Sequence, residues 1–221
     1  MRKILLATLT LAAVSAVAAF AFNPDKMNKI TFHNATGRKI EMIFLSPADS
    51  KLWGPDIMGA NYFLGDTRSI GYYVHYPDTS FKFDIMAIDE MGNELEIRDF
   101  QLVDGKESRV RLVPESLKKA AADFTLVTVH IRNRTGREMQ YLFISPSDSK
   151  AWGVDLLDET TTVTDGDTYS FVLAVGRDTL RYNLMAVVEN NDEYQFTFTI
   201  DPKTRKELTW AVEPGDLNKA K

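Results

Sequence analysis

Four aspartates fall in two matched pairs, Asp49 with Asp56 and Asp148 with Asp155, each pair bracketing a Trp-Gly step, Trp53-Gly54 and Trp152-Gly153. Two carboxylates completed by backbone carbonyls would form an oxygen shell of the kind calcium takes. Two carboxylates per site are sparse for that ion, and the spacing is not that of an EF-hand. The aspartates therefore read better as turn caps, and Trp53, Gly54, Trp152 and Gly153 as a structural motif. Asp84 and Asp89 could add ligands, but 99 residues later their places are taken by Asn183 and Val188, which counts against a shared site.

Other chemistry finds less support. Tyr72, Tyr73, His75 and Tyr76 form an aromatic cluster able to stack on a sugar or peptide, yet alternation turns half of it inward, which favours core packing. His33, His75 and His130 share no common position. No His-Glu-x-x-His run, Gly-x-Ser-x-Gly elbow or Gly-rich phosphate loop is present, so the expectation is a non-enzyme. Ser147-Asp-Ser-Lys150 matches Ser-x-x-Lys, but Ala48 replaces the serine in the first half, and the companion motifs are missing. Asn34-Ala-Thr36-Gly37 and Asn133-Arg-Thr135-Gly136 fit turns better than glycosylation sites.

These residues belong to a duplication. From Asn34 to Asp56, 13 of 23 positions recur identically at an offset of 99, far beyond chance for this composition. Phe83-Asp-Ile-Met-Ala87 answers Tyr182-Asn-Leu-Met-Ala186 at the same offset. A period this long is a small domain and not a solenoid unit. Within each copy the hydrophobic period is two: Ile40, Met42 and Phe44; Phe81, Phe83, Ile85 and Ala87; Leu180, Tyr182, Leu184 and Ala186; Tyr194, Phe196, Phe198 and Ile200. Turn residues such as Gly65-Asp66, Gly92-Asn93, Asp104-Gly105 and Asp165-Gly166 punctuate these runs.

The pattern predicts an all-β chain of two tandem, small antiparallel β-sandwich domains of immunoglobulin-like type, over 22–113 and 124–214. Residues 114–123 read as a short helical or semi-rigid linker that holds the copies as a fixed pseudo-symmetric pair, and 215–221 as a polar tail. A single outer-membrane barrel is the less favoured all-β alternative, because the chain ends in a polar stretch instead of a strand. Ser46-Pro47-Ala48-Asp49-Ser50-Lys51 breaks the alternation. It is expected to fold back over the sandwich edge, with Trp53 plugging the open end of the core, Gly54 allowing close passage and Asp56 capping the next turn.

The pattern Asn-x-Thr-Gly, a strand, then Ser-Pro-x-Asp-Ser-x-x-Trp-Gly-x-Asp resembles a group of exported bacterial β-sandwich domains found singly or in tandem. The resemblance covers both copies and implies an exported bacterial module. It carries no activity and transfers no functional residues.

Arg2 and Lys3 precede an uncharged apolar run from Ile4 to Phe20, and Ala19-Phe20-Ala21 offers small residues where a signal peptidase reads. Residues 1–21 are expected to be a signal peptide cleaved after Ala21; an uncleaved anchor is the alternative. There is no cysteine, hence no disulfide and no lipoprotein acylation site. Loss of Arg2 and Lys3 takes the net charge from −5 to −7, which disfavours nucleic acid and anionic lipid surfaces. The expected function is a non-enzymatic binding or structural module of the cell envelope acting on a protein partner, periplasmic in a diderm and secreted otherwise. The alternative is a calcium- or small-ligand-binding protein.

Overall fold

The computed structural model describes residues 22–119, 124–158, 160–176, 180–203 and 206–218. The signal-peptide expectation falls on residues 1–21, outside the described residues. No helix among the described residues is long and apolar enough to cross a membrane.

The chain is all-β. The first copy supplies β1 (Asn28–Asn34), β2 (Ile40–Pro47), β3 (Ser69–His75), β4 (Ser80–Asp89), β5 (Asn93–Val103) and β6 (Ser108–Leu112). After the short β7 (Lys118–Lys119), the second supplies β8 (Thr125–Asn133), β9 (Met139–Pro146), β10 (Gly153–Val154), β11 (Thr168–Val175), β12 (Leu180–Val188), β13 (Glu193–Ile200) and β14 (Glu207–Val212). These strands divide over four sheets of three or four strands, not one closed barrel: β10-β3-β1-β6, β2-β4-β5-β7, β11-β8-β14 and β13-β12-β9. Most pairs are antiparallel. The first and last long strands of each copy are not: β1 pairs with β6, and β8 with β14, in parallel. Of the linker, Pro114–Ser116 form a short 3-10 helix and Lys118–Lys119 pair with Asn93 and Glu94 as an edge strand; residues 120–123 lie outside the described residues.

Alternation places the core. Val127, Val129 and Ile131 of β8 are fully buried, β-branched side chains on one face of the pleat. With Ile30, Phe32, Phe83, Ile85, Tyr182 and Leu184 they form a single hydrophobic cluster that runs through both copies. The expected inward run Ile40-Met42-Phe44 is corrected by a register shift between Ile40 and Met42. Past it, Ile43 and Leu45 join Ile40 in the core, while Met42 and Phe44 turn to the opposite face. One inserted residue reverses the parity of everything after it. The second copy repeats the device, with Met139, Leu142 and Ile144 in the core and Tyr141 and Phe143 outside it.

The four sheets are spliced pairwise. Asp56 bridges Phe44 of β2 in its own copy, and Pro55 bridges Leu173 of β11 in the other. Asp155 bridges Phe143 of β9, and β10 pairs with β3 of the first copy. The segment after each Trp-Gly step therefore lies between a sheet of its own copy and a sheet of its partner copy. It covers two strand edges that would otherwise present unpaired backbone groups.

Candidate functional site

The splice is built from the motif that recurs most closely. Ser46 Oγ donates to Leu52 O and accepts from Gly54 N at 3.0 Å, closing the Ser-Pro-x-Asp-Ser loop; Ser145 Oγ donates to Ala151 O at 2.6 Å in the second copy. The chain then crosses to the other copy: Asp56 N donates to Val172 O at 2.8 Å, and Asp155 N to Tyr73 O at 2.9 Å. Ser50 Oγ donates to Asp148 Oδ1 at 2.8 Å, and Ser149 Oγ to Asp49 Oδ1 at 2.7 Å, the same bond made in both directions. Lys150 N adds a bond to Asp49 Oδ2 at 3.0 Å. The segment is a reciprocal clasp.

The two glycines of the clasp serve different needs. A Cβ on Gly54 would lie 2.7 Å from Leu45 O, so only glycine allows that approach. Gly153 has open space but a φ of +83°, the left-handed region.

The candidate metal ligands do not converge. Asp49 and Asp148 are spent on the serines across the clasp. Asp56 and Asp155 are buried, and each Oδ1 accepts two backbone N–H groups: Ile43 and Met58 for Asp56, Leu142 and Leu157 for Asp155, all at 3.0–3.2 Å. The bond to the residue two further on is the turn cap expected of Asp56. Burial outweighs these bonds and pushes the carboxyls up, to about 7 for Asp56 and about 8 for Asp155. No group of three or more acidic or histidine side chains is placed to hold a metal among the described residues.

Trp53 does not plug the main core. It lies on the outer face of the β2-β4 sheet, against Phe44, Met86 and Ile88. Trp152 lies equivalently against Phe143, Met185 and Val187. What covers the two indoles differs. β5 carries a bulge opposite Phe83–Ile85, with Asp99 at a φ of 55° and its N–H bonded to Asp84 Oδ1. Beside it the Arg98 guanidinium sits 4.6 Å from the centroid of Trp53, held by Asp84 at 2.6 Å and Glu96 at 3.1 Å. β13 has no such bulge and pairs regularly with β12. The positions matching Asp84, Glu96 and Arg98 are Asn183, Gln195 and Thr197. Thr197 Oγ1 donates to Asn183 Oδ1 at 2.8 Å, and a cleft of ≈700 Å³ stays open beside Trp152. Phe196 and Lys150 line it too, with Pro77 and Asp78 from the first copy forming one rim. Its volume falls in the range of small-molecule sites.

Sequence reasoning missed this cleft. The signal lay in the outward positions of β4, β5, β12 and β13, where a charged triad in one copy is matched by a neutral one in the other. Other candidates are absorbed by structure. Tyr72 and Tyr76 are buried, so that aromatic cluster is largely core. His75, its ring between Phe22 and Phe143, is pushed down by burial. Asn34 and Asn133 are fully buried, and each amide donates to two backbone carbonyls, which makes both sequons turns.

No protein-family model matches the chain, and no curated protein matches it. Among solved structures, a protein from Eubacterium rectale solved by NMR is similar at a TM-score of 0.32 and 21% identity, over 42% of this chain and 84% of that one. A family CBM26 module of Eubacterium rectale Amy13K, solved with maltoheptaose, is similar at a TM-score of 0.28 and 15% identity, over 87% and 98%. A proposed adhesin from Bacteroides ovatus is similar at a TM-score of 0.24 and 8% identity, over 86% and 91%. At TM-scores this low the likenesses say nothing of what this chain binds.

Proposed function

We propose that this chain is an exported, non-enzymatic binding protein of the bacterial cell envelope, made of two tandem β-sandwich domains clasped into one body, with its ligand site in the second copy. The observation that carries this reading is the unequal fate of one cleft, filled by Arg98 in the first copy and open beside Trp152 in the second. A duplicated site closed by its own side chain is structural; its open twin is free to bind. The test is a screen of small polar compounds by amide and indole NMR on the mature chain. Saturable shifts centred on Trp152, Asn183 and Gln195 are expected. Shifts centred on Trp53, or none at either tryptophan, would contradict the reading.

Export with cleavage after Ala21 is supported by the seat of the next residue. Phe22 packs its ring on Tyr141, Phe143 and His75, and its N–H donates to Glu193 Oε1 at 2.5 Å. Cleavage would turn that donor into an ammonium facing a carboxylate, a stronger bond. A protein beginning at Phe22 is expected to melt a few degrees above one carrying an N-terminal extension, and Glu193→Gln to narrow the gap. Equal melting temperatures would count against this role for the new N-terminus.

A protein partner is favoured by one further observation. Tyr62 and Phe63 are 52% and 51% exposed and stacked 6.4 Å apart, where the second copy has Thr161 and Thr162. Exposed aromatic pairs are the residue types that anchor protein interfaces. For the calcium alternative, the observed bonding of Asp49, Asp56, Asp148 and Asp155 offers no support.

A further inference from the structure

We infer that the cleft beside Trp152 takes a neutral saccharide, one pyranose ring stacking on the exposed part of the indole while its hydroxyls bond the Asn183 and Gln195 amides. This names the ligand class of the site proposed above and rests on that reading.

The first copy shows what the plate accepts. Arg98 lays a flat, polar-edged group on Trp53, and two carboxylates grip its edge. In the second copy those carboxylates are amides, so a cation stacked on Trp152 would find no ionic partner at either position. An amide offers one donor and one acceptor edge, the complement of a hydroxyl, which also both donates and accepts. Asn183 uses its Oδ1 for Thr197, and its Nδ2 bonds no described residue; Gln195 gives its Nε2 to Glu193 at 3.1 Å, and its Oε1 accepts from no described residue. Free amide N–H groups and a free amide oxygen therefore sit beside an apolar plate. A pyranose has the matching shape, with C–H groups on its faces and hydroxyls around its rim. An apolar ligand would leave both amide edges unpaired, a penalty that disfavours it. Pro77 and Asp78 wall one side, so the cleft is completed only when the copies are clasped.

The test uses the mature chain and three neutral probes at millimolar concentration: cellotetraose, maltotetraose and tetra-N-acetylchitotetraose. At least one is expected to bind saturably, one per chain, with shifts at the Trp152 indole and the Asn183 and Gln195 side chains. Because Trp152→Ala removes packing as well as the plate, closure is tested by Asn183→Asp/Gln195→Glu/Thr197→Arg with one aspartate inserted after position 197, which rebuilds both the charged plug and the bulge that seats it. It should weaken binding at least tenfold with the melting temperature held. The converse set, Asp84→Asn/Glu96→Gln/Arg98→Thr, should open the first copy and raise the stoichiometry from one to two. If no saccharide binds saturably, or the plugged variant binds as well as the parent, the inference is overturned. Arginine amide is the control. If it binds at Trp152 and the sugars do not, the saccharide class fails while the binding cleft stands; silence of the cleft in the compound screen as well would remove the site itself.

Discussion

Replacing Asp56 and Asp155 together by alanine is expected to unfold or severely destabilise the protein, whereas replacing both by asparagine should stabilise it above neutral pH. Each alanine strands two buried backbone N–H groups, a cost of about 1–3 kcal/mol per donor. Asparagine keeps the acceptor in place and removes the charge. The two carboxyls stand near 3.8 when unfolded and rise to about 7 and about 8 in the fold, driven first by burial. Between those limits the folded chain holds protons that the unfolded chain releases, so stability falls as pH rises. Their contribution is complete below pH 4 and is lost progressively as pH rises from there through 7 to 8. Asp89 runs the other way. Its burial would raise it, but bonds from Asn93, Arg38 and the Met91 N–H outweigh that and hold it below the usual range. Its stabilisation is lost in acid. Urea denaturation from pH 4 to 9 should show a decline through neutrality in the parent and a much flatter profile in the double asparagine variant. Parallel profiles would contradict the assignment.

Gly54→Ala is expected to cost about 3 kcal/mol or more, because the new Cβ meets a backbone carbonyl at 2.7 Å and the clasp must open to relieve it. Gly153→Ala meets no atom within 4 Å and pays only for its left-handed backbone, about 1–2 kcal/mol. Thermal unfolding of the two variants separates these costs. Equal losses would mean that the approach to Leu45 does not constrain the first copy.

The period-two run of β13 was legible because one face lies on the core and the other toward solvent. In β4 and β12 the core residues also alternate, although the last five residues of each are buried on both faces, the second face lying under the tryptophans. β2 and β9 were not legible, since a register shift leaves no mark in a hydrophobicity pattern yet sends Phe44 and Phe143 to the face under the tryptophans. The clasp was half legible. Its letters stood out, and so did the turn-capping role of Asp56. The partner of each crossing bond, however, lies between 82 and 116 residues away, and no local rule supplies that distance. Even the identity of Gly54 and Gly153 misleads, for one is needed by its neighbour and the other by its own φ. The cleft was least legible because it consists of differences between the copies. Repeat reading rewards identity, and Arg98 against Thr197 looks like drift until the bulge at Asp99 brings the arginine onto its indole.

The central claim is that the Ser-Pro-x-Asp-Ser-Lys-x-Trp-Gly-x-Asp segment locks the two copies into one cooperative body. It is tested by following urea unfolding with a single tryptophan in each copy, Trp53 alone and Trp210 alone, with the others changed to phenylalanine. Each is measured with and without Leu184→Ala, a core truncation in the second copy worth about 2–5 kcal/mol. The clasp predicts that the transition reported by Trp53 shifts to lower urea together with that reported by Trp210. A Trp53 transition unmoved by the distant truncation would show two independent domains and contradict the clasp.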